Sequence, residues 1–388
     1  MTHKFPADQE DPPRDGSLSQ TPPVQELIHS LILRMESIKE RGALVFDIDE
    51  TLMSPDASLR DETEVRELLL RLLRKGILLG LISGGPGTVV KHRIFDPLIE
   101  SLGANHELLF RFYVYANGGS SKYAADKTGR FAEDLEYASA HRISGRILYR
   151  IKDLIESYAG EGFRLGELLP GVVQEWKRKR SQQWNATDVF FDDSWMEQRP
   201  WKADLWDDEA MARVKAGKEK GRTTFPFINV RRGSLSVEGR VEELSGISVS
   251  GFYSLRKENG DLNDLDCRDE IIKWLTKDLG GDARDIVMKK AGRASIDITK
   301  SGTDKSAALF DFISHWKCSA GLVFYFGDEF FHGGNDLPVA EAPALSAQKV
   351  SLIALNRQIK PSQSGIVWAG RSCAATRELL KRVLDAQD

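Results

Sequence analysis

The sequence predicts an α/β protein: a doubly wound parallel-sheet core with a second α/β unit inserted into it. Three observations carry this. Continuous apolar runs at Ala43–Phe46, Ile77–Ile82 and Phe112–Ala116 alternate with stretches of helical periodicity, as expected of strands buried on both faces of a parallel sheet. The same grammar returns at Leu322–Phe326 and Val350–Leu355. Between these stretches, over residues 122–299, the chain is more charged and carries only short strand-like segments such as Phe225–Arg231 and Ala294–Thr299. The second unit therefore reads as inserted into the first, not appended to it.

In chain order, residues 1–23 hold five of the fourteen prolines and no apolar signal core, and a disordered tail is expected there. Val24, Leu27, Ile28, Leu31, Ile32, Met35 and Ile38 recur at helical spacing and define an amphipathic helix. After the first strand, Val65, Leu68, Leu69, Leu72 and Leu73 form a second helix, with Asp61 and Glu62 in its first turn and Gly76 at its end. Another helix is expected over Thr88–Ile99, and Arg377–Leu384 forms a terminal one. The expected division is a tail at 1–23, a core at 24–121 and 300–388, and an inserted unit at 122–299.

Composition narrows the class. Among 388 residues, 54 Lys and Arg face 58 Asp and Glu, for a net charge of −4. This balance argues against a nucleic-acid binder or a polybasic membrane binder. No apolar run approaches the ~20 residues of a membrane helix. Three scattered cysteines, Cys267, Cys318 and Cys373, form neither a disulfide framework nor a CxxC metal site, so a reducing, cytoplasmic setting is expected. The five tryptophans Trp176, Trp184, Trp195, Trp201 and Trp206 cluster in the inserted unit. They fit either its core or an aromatic wall for a ring. The basic run Lys177–Arg180 fits a solvated helix face.

The chemistry-bearing residues fall at strand ends, where open α/β sheets bind ligands. The first strand runs into Asp47-Ile48-Asp49-Glu50-Thr51. Two close carboxylates repel unless a cation intervenes, and a divalent metal with oxygen ligands is the natural solution. The second strand ends in Ser83-Gly84-Gly85, a hydroxyl and permissive backbone suited to an anion. The late strand leads into Gly327-Asp328-Glu329 and Gly333-Gly334-Asn335-Asp336, which add hard oxygen ligands. Before it stands Asp304-Lys305, whose lysine can neutralise phosphate charge.

Taken in this order, the four segments resemble the four motifs of the haloacid dehalogenase-like phosphotransferase superfamily. The resemblance covers both core segments and implies a Rossmann-like core with an α/β cap. It implies that Asp47 is the nucleophile, that Asp49 is the general acid and base, and that Ser83 and Lys305 bind the transferring phosphoryl group. It implies Mg²⁺ held by Asp47, the backbone carbonyl of Asp49, and Asp328, with Asn335 and Asp336 supporting.

Tyr115–Gly119, Asn229–Val237, Ser295-Ile296-Asp297 and Gly327–Asp336 resemble, more narrowly, the subgroup of phosphomannomutase and related sugar phosphatases. That resemblance adds Gly84, Asn117, Arg231, Arg240, Ser295 and Asp297 as substrate contacts, the arginines toward a distal phosphate and the short polar groups toward sugar hydroxyls. The chain departs from the subgroup at Glu50, Asp56, Arg232, Ser234 and Glu329, mostly on the sugar-phosphate side of the site. The expected activity is Mg²⁺-dependent hydrolysis of a sugar phosphate or similar small metabolite. A phosphomannomutase-like isomerase is the alternative, and a non-catalytic sugar-phosphate binder the third reading. A homodimer through the cap is the expected assembly.

Overall fold

In the computed structural model, which describes residues 18–54, 57–85, 87–103, 105–126, 129–144, 146–147, 150–151, 154, 184–185, 227–232, 244–250, 252–257, 262–266, 268–291, 295–331, 334–355 and 365–388, both ends of the chain build one sheet. Strands β1 (Ala43–Phe46), β2 (Leu79–Ile82), β3 (Phe112–Ala116), β4 (Ser121–Ala125) and β5 (Phe131–Glu133) come from the first stretch. The intervening chain contributes β6 (Trp184–Asn185), β7 (Phe227–Arg232), β8 (Leu244–Ser250), β9 (Phe252–Lys257), β10 (Leu262–Asp266), β11 (Ile286–Ala291) and β12 (Ser295–Lys300). The last stretch supplies β13 (Val323–Gly327), β14 (Ser351–Ala354) and β15 (Ile366–Trp368).

The large sheet has eight strands in the order β15-β14-β13-β1-β2-β3-β4-β5. The first six in that order pair in parallel, while β4 and β5 are antiparallel at one edge. From β1 the strand order runs outward one way through β2 and β3, and the late strands fill the other side. The crevice beyond the β1 and β13 carboxyl ends is therefore the switch point where such sheets hold ligands. The expected α/β doubly wound architecture is present. Strands β6, β9 and β10 form a separate antiparallel sheet, and β7, β8, β11 and β12 another.

The period of two along each strand divides the apolar residues between two faces. Leu44, Phe46, Leu79, Leu81, Phe324 and Phe326 pack with the helices Pro22–Arg41, Thr63–Arg74 and Cys373–Asp385. Ala43, Val45, Ile82, Tyr115 and Tyr325 pack against the helix Lys305–Trp316 on the other face. The Phe46 and Phe326 rings stack with centroids 4.6 Å apart, which fastens β1 to β13 beside the switch point.

The expected helix over Thr88–Ile99 is interrupted. An α-turn at Gly87–Val90 passes into a π-turn at Lys91–Phe95 and then into α-helix Asp96–Leu102. Pro97 has no N–H to give the carbonyl of Arg93, four residues before it. Asp96 N–H reaches back to Lys91 instead of His92. Both freed carbonyls are taken by the segment after β1. Leu59 N–H donates to Arg93 O at 2.8 Å, Ser58 Oγ to the same oxygen at 3.2 Å, and Arg60 Nη1 to His92 O at 3.4 Å.

Of the expected tail, residues 1–17 lie outside the described residues. Leu18 is buried and bridges to Gly370, and Ser19 N–H donates to Ala369 O at 2.8 Å. The segments expected as strands at Phe225–Arg231 and Ala294–Thr299 appear as β7 and β12. Lys177–Arg180 and Trp176, Trp195, Trp201 and Trp206 lie outside the described residues, as does Cys267, while Cys318 and Cys373 are buried free thiols. Among the described residues, no helix is long and apolar enough to cross a membrane.

At Gly80 the Lys305–Trp316 helix packs tightly onto the sheet. A Cβ there would lie 3.1 Å from the Phe312 ring and 3.2 Å from the Val45 methyls. Gly80→Val should destabilise the fold by about 1–3 kcal/mol through overpacking, read as a lower denaturant midpoint at unchanged slope.

Candidate active site

At its carboxyl end β1 keeps its ladder for one more residue: Asp47 N–H donates to Phe326 O at 2.8 Å. The chain then turns back tightly. Leu52 and Met53 N–H both reach Ile48 O, at 2.9 and 3.1 Å, and Glu50 N–H donates to Met53 O at 3.0 Å. Ile48, Leu52 and Met53 are buried in the core. The three apolar residues of this turn fasten it to the core, while Asp47 and Asp49 stay at the crevice.

Lys305 is the first residue of its helix, started by Asp304, whose carboxylate accepts from Ser306 N–H at 2.9 Å and Ala307 N–H at 3.1 Å. A cation at a helix N-terminus faces the positive end of the helix dipole. Lys305 is also 2% exposed, so opposite charge must meet it. Its Nζ lies 2.8 Å from Asp47 Oδ1 and 2.8 Å from Asp336 Oδ1. These two carboxylates hold the lysine ammonium well above its usual range against the cost of burial.

Asp336 is saturated. Beyond Lys305, its Oδ1 accepts from the Tyr325 hydroxyl at 2.5 Å, and its Oδ2 accepts from the N–H groups of Asp328 at 3.0 Å and Glu329 at 2.9 Å. The same carboxylate thus sets the lysine and shapes the turn that presents Asp328. Thr51 Oγ1 donates to Asp328 Oδ1 at 3.4 Å, and Thr376 Oγ1 from the last helix donates to Thr51 O at 2.6 Å.

Asp47, Asp328 and Asp336 each place a carboxylate oxygen within 4.8 Å of the others. Burial pushes the Asp47 carboxyl up to about 7 against the opposing pull of Lys305. Burial, and then the Asp47 and Asp336 charges, push Asp328 up to about 10. One ammonium among three carboxylates leaves negative charge to be neutralised, and hard oxygens at this spacing suit a divalent cation. Because Asp336 already accepts four hydrogen bonds, Asp47 and Asp328 are the carboxylates with capacity for a cation, and Asp336 is their support.

The neighbouring strand ends close the crevice. Ser83 N–H donates to Tyr115 O at 2.8 Å, and Ser83 Oγ accepts from Gly85 N–H at 3.0 Å. Asn117 N–H returns to Gly85 O at 2.7 Å, and Gly118 N–H to Ser83 O at 3.0 Å. Asn117 is buried with φ 54°, its Nδ2 donates to Ser121 Oγ at 3.2 Å, and its Oδ1 meets no donor among the described residues. Gly119, at φ 97°, leaves only 2.6 Å between an ideal Cβ and Asp304 O, so this loop abuts the start of the lysine helix. A Cβ at Gly84 would lie 3.9 Å from Asn335 Nδ2, so the segments that follow β2 and β13 meet here.

Asp47, Asp49, Ser83, Gly84, Asn117, Lys305, Asp328, Asn335 and Asp336 thus gather at the carboxyl ends of β1, β2, β3 and β13. Ser295 opens β12 opposite Ser250, Asp297 stands opposite Ser248, and Arg231 lies in β7. The side chains of these three, and all of Arg240, lie outside the described residues.

Sequence reasoning missed four contributors: Thr51, Tyr325, Thr376 and Arg93. Arg93, on the π-turn, donates from Nη2 to Asp49 Oδ1 at 2.6 Å and from Nε to Ala57 O at 2.6 Å. The Asp96-Pro97 pair marks this irregularity in the sequence, but Arg93 itself sits in an ordinary helical pattern.

Neither a family model nor any curated protein matches the chain. Among solved structures it is similar to the N-terminally truncated, IMP-bound IMP-nucleotidase of Plasmodium falciparum, with 13% identity over 93% of this chain and 73% of that one, and a TM-score of 0.46. It is also similar to a haloacid dehalogenase-like hydrolase from Bacteroides thetaiotaomicron, with 13% identity over 88% and 99% of the two chains and a TM-score of 0.46. The 0175 protein of Thermoplasma acidophilum is a third, with 13% identity over 88% and 98% and a TM-score of 0.40. Likeness at this level assigns no residue a role.

Two outcomes follow from the geometry. A carboxyl raised in the folded state adds stability below its unfolded value near 3.8 and loses it as pH rises through the folded value, about 7 for Asp47 and about 10 for Asp328. In chelator, Asp328→Asn should therefore stabilise the protein by on the order of 1–3 kcal/mol at pH 8 and hardly at all at pH 4, measured by denaturant unfolding. Glu50 is exposed and held at φ 60°, a conformation that costs a side-chain-bearing residue about 1 kcal/mol. Glu50→Gly should raise stability by roughly 0.5–1 kcal/mol in the same assay.

Proposed function

We propose that this chain is a Mg²⁺-dependent phosphohydrolase that acts through an aspartyl-phosphate on a small phosphorylated metabolite, with sugar phosphates as the substrate class. The observation that carries the reading is the buried Lys305 ammonium 2.8 Å from Asp47 Oδ1, with Asp328 beside them. That set offers a nucleophile, a fixed cation for phosphoryl charge and oxygens for a metal. The resemblance of the four strand-end segments to the haloacid dehalogenase-like motifs supports the same assignment.

In this mechanism an Asp47 oxygen attacks phosphorus and the P–O ester bond breaks. Asp49 gives its proton to the leaving oxygen. Asp49 then takes a proton from the water that attacks phosphorus, which releases inorganic phosphate and restores the Asp47 carboxylate. Lys305, Ser83 Oγ and the loop N–H groups offset charge on the phosphoryl oxygens. Asp47, Asp328 and the Asp49 carbonyl, supported by Asn335 and Asp336, would hold Mg²⁺, which when bound neutralises phosphoryl charge as a Lewis acid. The inserted unit that follows β5 would act as a cap that selects the substrate, with Arg231, Arg240, Ser295 and Asp297 as its substrate contacts beside Gly84 and Asn117 of the core.

Purified protein with Mg²⁺ and a panel of sugar phosphates should release phosphate. Chelation should abolish turnover, and Asp47→Asn should lower it by at least ~10³-fold. Exchange of 1- and 6-phosphates in the presence of a hexose bisphosphate, without net phosphate release, would replace this reading with a mutase. Binding without turnover would leave a non-catalytic binder.

A further inference from the structure

We infer that Arg93 is a positioning residue that fixes the Asp49 carboxylate for proton transfer, an inference resting on the reading above that Asp49 is the acid and base. Arg93 is 6% exposed at its side chain, whereas Asp49 is 45% exposed. A half-exposed aspartate is free to visit several rotamers, yet a general acid works only within hydrogen-bond reach of its target oxygen. Arg93 Nη2 holds Asp49 Oδ1 at 2.6 Å and also donates to Ser54 O at 3.3 Å, while Nε holds Ala57 O at 2.6 Å. The backbone of the same residue is seized by that loop, with Arg93 O accepting from Leu59 N–H at 2.8 Å and Ser58 Oγ at 3.2 Å. One residue therefore fixes both the loop that follows β1 and the carboxylate on it.

Loop anchoring alone would need only neutral donors. A guanidinium taken out of water needs a counter-charge, and Asp49 is the acid it bonds among the described residues. The grip uses one carboxylate oxygen, Oδ1, and leaves the second as the atom that exchanges a proton. Pro97 contributes because, having no N–H, it leaves the Arg93 carbonyl free for the loop.

The test compares two phosphate monoesters at saturating Mg²⁺. A sugar phosphate has an alkoxide leaving group that must be protonated, and p-nitrophenyl phosphate has a leaving group that needs little help. Arg93→Met should lower kcat/KM, which reports the first transfer and not hydrolysis of the shared intermediate, by roughly 10²-fold on the sugar phosphate and by less than about threefold on p-nitrophenyl phosphate. Arg93→Lys, which keeps a charge but not the fork, should fall between and carries the test if the Met variant does not fold. Added to Asp49→Asn, Arg93→Met should cost no further activity on the sugar phosphate. Equal losses on both esters, or a further loss in the double variant, would overturn the inference and leave Arg93 as a loop anchor, with the phosphohydrolase reading intact. A wild-type protein that cleaves neither ester, or an Asp47→Asn variant with full turnover, would overturn both.

Discussion

An ammonium group held inside a protein must find opposite charge within a few ångströms, and at Lys305 that requirement joins three distant parts of the chain. Asp47 comes from the first strand, Asp336 from the turn after β13, and Lys305 from the head of a helix whose own dipole opposes its charge. The bonds radiate outward from there. Tyr325 on β13 and two backbone N–H groups hold Asp336, and Thr51 links Asp328 to the last helix through Thr376. Single contacts of this kind are each worth about 1 kcal/mol, more where charge is involved. Because they share partners, their contributions are not additive.

The sheet supplies the rigidity this demands. Strands β1 and β13 are adjacent in parallel register and locked by stacked Phe46 and Phe326, so residues just past their ends are held by two fully buried strands. The crevice is acidic and desolvated. A phosphate dianion could enter it only where cations offset both its charge and that of the carboxylates.

Much of this is legible in the residues themselves. Apolar runs such as Ala43–Phe46 announce buried parallel strands because a period-two residue pattern is unnecessary where both faces are covered. Asp47, Ser83 and Asp328 announce themselves because polar residues immediately after such runs have no packing role, and Lys305 because a cation opens a largely apolar helix. Tyr325 is hidden for the opposite reason. It lies inside an apolar strand and looks like core, and only the position of Asp336 reveals that its hydroxyl has a partner. Arg93 is hidden because its partner stands 44 residues away, a separation that no local period can report. The residues around Arg93 read as a regular helix. Pro97 alone hints otherwise, and a proline near a helix start is usually compatible with the helix continuing.

The π-turn at Lys91–Phe95 has a consequence in the currency of insertion and deletion. Such a turn holds one residue more than the α-turn it replaces, so removal of a single residue there could return the helix to regular winding with both flanks in place. The grip on Asp49 is thus separable from the architecture that carries it. A lineage could gain or lose it in one genetic step while the sheet, the lysine and the carboxylate cluster stayed as they are. Differences of one residue in length between Gly87 and Leu102, as well as replacement of Arg93 itself, are therefore what would distinguish relatives that steady this acid from those that leave it free.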